Sequence, residues 1–268
     1  YFLNSMDLMN NLFRLLLIGI SIFLLSSCSS IYYYNQSVSG HLKLMSASRS
    51  IDFILNNQYL PEHLRDKLNL ALKIRAFASE QLLLPSNDSY KNYVELDRKY
   101  VVWNVIATPE FSLAPVQSCF VFVGCLSYRG YFSKQDAQSY ARKLKLEGKD
   151  TYVSGVTAYS TLGWFDDPVL STMLKSDSIF LAKVIFHELA HQKTYLTDDT
   201  EFNEAFADSI ATIGVKRWLE SNNEYNLLQQ YQQKQQRESE FLQLVDKFRE
   251  QLEILYLSNG TEVELRRG

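Results

Sequence analysis

Apolar residues recur at helical spacing along the first third of the chain: Leu42, Leu44, Met45, Ile51, Ile54 and Leu55, then Leu64, Leu68, Leu72 and Phe77. A stripe of this period marks one face of an amphipathic helix, so helices are expected over 35–60 and 61–84. Pro61 with Glu62 suits the first turn of the second helix, where a missing N–H costs nothing, and Pro85 ends it. Together they predict an antiparallel helical hairpin.

The period then changes. "YVVWNVIATPEF" (100–111), "CFVFVG" (119–124) and "DTYVSGVTAYST" (150–161) are β-branched and aromatic runs bounded by Pro, Gly or Ser, as strands of a small sheet would be. Between the last two, residues 133–148 return to helix, with Ser133 as cap, Ala137, Tyr140, Ala141 and Leu144 as the buried stripe, and Gly148 as terminator. From Ser176 the pattern is helical almost to the end, over about 177–195, 201–220 and 223–257. In the glutamine-rich last helix, Leu227, Tyr231, Phe241, Leu242, Val245, Phe248, Leu252 and Leu255 are expected to pack as core. The class is α+β, mostly α, with a small sheet, an N-terminal helical hairpin and long C-terminal helices.

Composition narrows the function. At 268 residues, 46% hydrophobic and 21% charged, the chain can bury a sizeable core. A net charge of −3 without a basic stripe argues against a nucleic-acid partner. The run "LLLIGISIFLL" (15–25) follows Arg14 and is too short to span a bilayer, which takes about 20 residues, yet it has the length of a signal-peptide core. The following "LSSC" (25–28) resembles the lipobox of bacterial lipoproteins, which implies a leader over 1–28 and lipidation of Cys28. The alternative is an ordinary cleaved signal or a short membrane anchor. Ser29 lacks the acidic character associated with inner-membrane retention, so the expected location is the periplasmic side of the envelope, on the outer membrane. No repeat or Pro/Gly-rich linker divides 29–268, which reads as a single domain. Cys119 and Cys125 in "CFVFVGC" have a spacing that a tight turn can close in an oxidising compartment, and a disulfide is expected there; two reduced core thiols are the alternative.

The chemistry concentrates in "FHELAHQ" (186–192). The chain has four histidines, and His187 and His191 stand four apart, so both rings turn toward one point on a single helical face. That spacing supplies two imidazole ligands to one zinc ion at bond lengths of about 2.0–2.1 Å. Glu188 projects beside the metal, where it serves as general base toward water in the H-E-x-x-H pattern. The helix "SIFLAKVIFHELAHQ" is apolar nearly all round apart from Lys183; burying two imidazoles and a carboxylate there without a partner would cost several kcal/mol. After the turn-like "TDDT" (197–200) a new helix presents Glu204, which completes three protein ligands and leaves a position open for water. A longer histidine-based pattern would need glycine at 194 and histidine at 197, where Thr194 and Thr197 stand.

Six segments, "IRAFASEQLLLP" (74–85), "YVVWNVIATPEFSLAP" (100–115), "VGCLSYRGYF" (123–132), "AYSTLGWFDDPVLSTML" (158–174), "FHELAHQ" and "FNEAFA" (202–207), make the chain resemble the bacterial predicted-aminopeptidase family of zinc lipoproteins. The resemblance implies a zincin-like metallopeptidase, and family members that continue beyond the position of Gly268. In glutamate-ligand zincins an aspartate four residues after the ligand orients a zinc histidine, a role that falls on Asp208; the alternative is a surface charge. Tyr159, Tyr131, Arg129 and Tyr195 are candidate donors to substrate or to a developing oxyanion. Asp166 or Asp167 is a candidate for holding a peptide's terminal ammonium. The expected function is zinc-dependent hydrolysis of peptide or protein substrates with Glu188 as base. The competing class is a lipid-anchored zincin-like scaffold that binds metal without turnover.

Overall fold

The computed structural model describes residues 31–120, 124–258 and 260–266, so the leader and Cys28 lie outside the described residues. The chain divides into two compact units, Tyr1–Ser46 and Ala47–Gly268. Helix α1 (31–47) forms the described part of the first. Among the described residues no helix is long and apolar enough to cross a membrane.

The expected helix over 35–60 is broken. It ends at residue 47, and β1 (Arg49–Ser50) and the short α2 (Ile51–Leu55) follow. Tertiary pairing overrides the periodicity here: β1 lies antiparallel to β2 (Asn92–Val94), and the Ile51 N–H donates to the Lys91 carbonyl at 3.0 Å. Serines at 46, 48 and 50 give the helix little reason to continue. The second expected helix forms as α3 (Glu62–Glu80), directly after Pro61, with Leu68, Ala71, Ile74, Phe77 and Ala78 buried.

Among the described residues the strands form three small sheets instead of one. β3 (Val102–Pro109) begins the largest. "CFVFVG" is not one strand: β4 (Ser118–Phe120) and β5 (Gly124–Leu126) face each other antiparallel, with Cys119 opposite Cys125 and joined to it by a disulfide. β6 (Arg129–Tyr131) and β7 (Lys149–Val156) flank β3, both antiparallel. Between them, α4 (Lys134–Leu146) packs on this sheet through Ala137, Ala141 and Leu144. Ser133 accepts the Asp136 N–H at its start, and Gly148, at φ +75°, ends it in the left-handed conformation that glycine adopts without steric cost. β8 (Val169–Leu170) adds a parallel edge to β2, making the sheet β1-β2-β8.

Three long helices complete the chain: α5 (Ser178–Lys193), α6 (Thr200–Ser221) and α7 (Tyr225–Tyr256), followed by the single turn α8 (Glu262–Leu265). Helices account for about 56% of the described residues, and the fold is α+β and mostly α. The core lies where α3, α5 and α6 meet, with the Phe77 ring 6.0 Å from Phe186 and 5.2 Å from Trp218. α7 departs from expectation. Its buried residue is Tyr231, while Phe241, Leu242, Val245, Phe248 and Leu252 are exposed. Near the connection it packs on α6, where Gln235 reaches Thr212, and its 32 residues outrun the 22 of α6, so the stripe from Phe241 to Leu252 stays exposed, while at the far end the Tyr256 ring meets Phe111 edge-on at 5.8 Å.

Candidate metal centre

The site is built on the α5–α6 pair. Asp177 caps α5, its carboxylate accepting the Phe180 N–H at 2.7 Å, and Asp199 caps α6 by accepting from Phe202 at 3.0 Å. The connection is pinned by buried Asn203, whose amide accepts from the Leu196 N–H at 2.8 Å and donates to the Leu196 carbonyl at 2.7 Å. Farther along, Gly214 lets the helices close: a Cβ there would lie 2.7 Å from both the Phe186 ring and the Leu82 side chain. The two helices run antiparallel in a definite register, with Lys183 opposite Asp208 and His187 opposite Glu204.

That register brings the three predicted ligands together. His187 Nε2 lies 3.1 Å from His191 Nε2 and 3.2 Å from Glu204 Oε2, and His191 Nε2 lies 3.7 Å from Glu204 Oε1. A tetrahedral centre with bonds of about 2.0–2.1 Å has ligand-to-ligand edges of about 3.3 Å, close to the separation of the two imidazole nitrogens and of His187 from one Glu204 oxygen, with the other Glu204 oxygen turned toward His191. Two imidazole nitrogens this close, one on a buried histidine, are poorly explained by protein partners alone, and the donor set fits a divalent cation.

The electrostatics agree. With only protein groups around them, burial pushes His191 down and the neighbouring His187 pushes it further. Burial opposes the charge of His187 as well, but the hydrogen bond to Glu204 and the charges of Glu188, Glu204 and Asp208 prevail and raise it. Glu204 is held down by that same hydrogen bond. Glu188 is raised from 4.5 to about 7, chiefly by burial, with Asp167 and Glu204 adding repulsion while His187 and Ser160 pull it back. Glu188 keeps partial solvent access although protein crowds its carboxyl, as a base that must meet water requires.

Other expected site residues take different places. Asp208 does not orient a histidine: its carboxylate lies 2.7 Å from Lys183 Nζ, because one turn beyond Glu204 the antiparallel register meets the residue one turn before His187. His191 Nδ1 is buried without a partner. Arg129 lies over the Tyr140 ring at 4.8 Å and the buried Tyr131 ring packs on Tyr140 at 5.7 Å, contacts that seat β6 against α4. Tyr159 packs edge-on against Phe132, and Tyr195 stands 6.2 Å, ring to ring, from His191. Asp167 is no ammonium site, being fully buried and hydrogen-bonded to Ser160 and Thr161; Asp166 is exposed.

Sequence reasoning missed the loop 85–90. Buried Arg75 holds it through the carbonyls of Pro85, Asn87 and Ser89, and it reaches the last residue of "FHELAHQ". Asn87 donates to the Gln192 amide at 2.8 Å, and Gln192 donates to Ser89 at 3.3 Å. The available signal was a polar turn, "SNDSY", following a helix with an arginine on its apolar stripe.

A mostly helical fold that aims two imidazoles and a carboxylate at one point, with a second carboxylate beside them, defines a class of protein suited to a divalent metal. A family model described as "Putative aminopeptidase" matches residues 32–267. The chain belongs to that family. No curated protein and no solved structure matches it.

Proposed function

We propose that the protein is a zinc-dependent peptidase of zincin-like fold, an aminopeptidase anchored through lipidated Cys28 at the periplasmic face of the outer membrane. The observation that carries this reading is the ligand triangle of His187, His191 and Glu204 with the raised carboxyl of Glu188 beside it. The family description supports the aminopeptidase part.

His187 and His191 from α5 and Glu204 from α6 would hold the ion. Zinc held there would supply Lewis acidity toward a peptide carbonyl and toward the attacking water. Glu188 takes a proton from the attacking water and returns it to the leaving amine, a task suited to a carboxyl whose pKa lies near neutrality. Tyr195, beside His191, is the candidate donor to the developing oxyanion. A metal-holding scaffold would have no use for a buried carboxylate set apart from the ligands, and this favours the enzyme.

The test is Glu188→Gln assayed for bound zinc and for cleavage of a mixed library of short peptides. The expected outcome is unchanged zinc and turnover lowered by about 100-fold or more. Full turnover in the variant would remove Glu188 as the base; zinc binding without cleavage by the wild-type protein would favour the scaffold.

A further inference from the structure

Two large aromatic residues follow one another in the loop after β7 and are left in water: Trp164 is 70% exposed and Phe165 52%. One exposed aromatic side chain is ordinary on a protein surface. Two in succession, on a loop built as tightly as this one, form an apolar patch that the fold does not use for its own core.

The loop is fixed from within. Buried Asp167 accepts from Ser160 Oγ at 3.1 Å, from the Thr161 N–H at 2.9 Å and from Thr161 Oγ1 at 2.9 Å, which closes residues 160–167 on themselves. Inside that closure the Thr161 carbonyl accepts the Trp164 N–H at 3.1 Å, and Thr161 Oγ1 accepts the Phe165 N–H at 3.1 Å. Leu162 is left-handed at φ +56°, a conformation that a leucine keeps only where its surroundings impose it, and its N–H donates to Ser160 Oγ at 3.2 Å. Backbone positions held in this way lose little freedom when a ligand arrives.

Gly163, at φ +84°, sets where the loop sits. A Cβ there would lie 3.2 Å from Gln192 Cγ and 3.5 Å from Gln192 Cβ, so the loop backbone rests on that side chain. Gln192 follows Glu188 by one turn of α5 and shares its face, about 6 Å along the helix axis. Trp164 is the next residue after this contact. Phe165 is tied back to Thr161, which adjoins Ser160, and the Ser160 hydroxyl acts on Glu188. The aromatic pair therefore borders the face of α5 that carries the base.

We propose that Trp164 and Phe165 select the substrate, forming an apolar platform for a large aliphatic or aromatic side chain on a residue flanking the bond that is cut. The proposal rests on the peptidase reading above and names its substrate class. A peptide advances about 3.3–3.6 Å per residue, so a side chain next to a bond held at the centre reaches a patch one helical turn away.

The test uses the full chain and short peptides in which the two residues flanking the cleaved bond are varied among Phe, Leu, Ala and Asp. kcat and KM are measured for each, with bound zinc and the melting temperature. The wild type is expected to prefer Phe and Leu to Ala by about tenfold or more in kcat/KM. In the double variant Trp164→Ala/Phe165→Ala that preference should fall to within about threefold, through a raised KM on the Phe and Leu peptides, with zinc content and melting temperature as in the wild type. Trp164→Phe should retain the preference, because it keeps an apolar ring. A wild type that cleaves without this preference overturns the proposal, as does a double variant that keeps it or that slows all peptides alike. Lost zinc or a lowered melting temperature in the double variant also overturns it, by assigning the rings to structural support. If the wild type cleaves no peptide in the series, the peptidase reading itself fails and takes this one with it.

Discussion

Glu188 holds a carboxyl whose pKa stands at about 7 because protein has replaced the water that would stabilise its charge. Two consequences have opposite signs. As a base it must be ionised, so kcat/KM rises with pH through a limb near 7, lowered to the extent that bound metal favours the charged form; a pH profile from 5 to 9 checks this, and the limb should be absent from the residual activity of Glu188→Gln. For stability, the folded value lies above the unfolded value of 4.5, so the folded chain holds the proton more tightly and loses stability as pH rises from about 4.5 to about 7. Metal-free Glu188→Gln is therefore expected to melt higher than the metal-free wild type at pH 8, and melting curves in chelator at pH 5 and pH 8 would show the difference growing with pH. His187, Glu188 and His191 were legible as a set because four-residue spacing on a helix places side chains together whatever the rest of the fold does. Asp208 was misread by the same rule: the spacing put it on the correct face of α6, but its partner was a lysine on α5 that only the register of two helices could choose.

Between elements, the α5–α6 register determines whether three ligands meet. The Lys183–Asp208 pair lies one turn along the interface from His187–Glu204 and holds the same alignment. Both partners are partly exposed, so the pair contributes no more than about 1 kcal/mol to stability. Its effect on the site is expected to be larger than its effect on the fold: Asp208→Asn should weaken zinc binding by about tenfold while shifting the melting temperature of the metal-free protein little. Competition with a chromophoric chelator measures the first and thermal unfolding the second; unchanged zinc affinity would remove the pair from the site's support. The break between α1 and β1 was hidden from the sequence for a related reason. A continuous apolar stripe ran across 42–55, and a two-residue pairing with β2, about 40 residues away, outweighed it. The sequence reads as one strand where β4 and β5 pair with each other, because an unbroken apolar run joins them, although the cysteine spacing already pointed to a reversal of the chain.

At the scale of the molecule, a metal held as proposed by two helices that are also the core would couple binding to folding. Zinc that binds the folded chain alone adds about 2.7 kcal/mol at one hundred times its dissociation constant. Chelation is thus expected to lower the melting temperature reversibly, with recovery on returning zinc and a much smaller response in Glu204→Ala; a melting curve indifferent to chelator would separate the ligand triangle from any ion. The sequence by itself determined the helical majority, the cap and terminator of α4, and the set of His187, Glu188 and His191 on one helix, because these depend on residues within a few positions of one another. It could not determine that α7 leaves Phe241, Leu242, Val245, Phe248 and Leu252 exposed, that Asp167 is spent on Ser160 and Thr161, or that Tyr90 is buried with its N–H on the Asp167 carbonyl. Those are settled by which surfaces meet across long stretches of chain, and contacts of that range have no period in the sequence from which to read them.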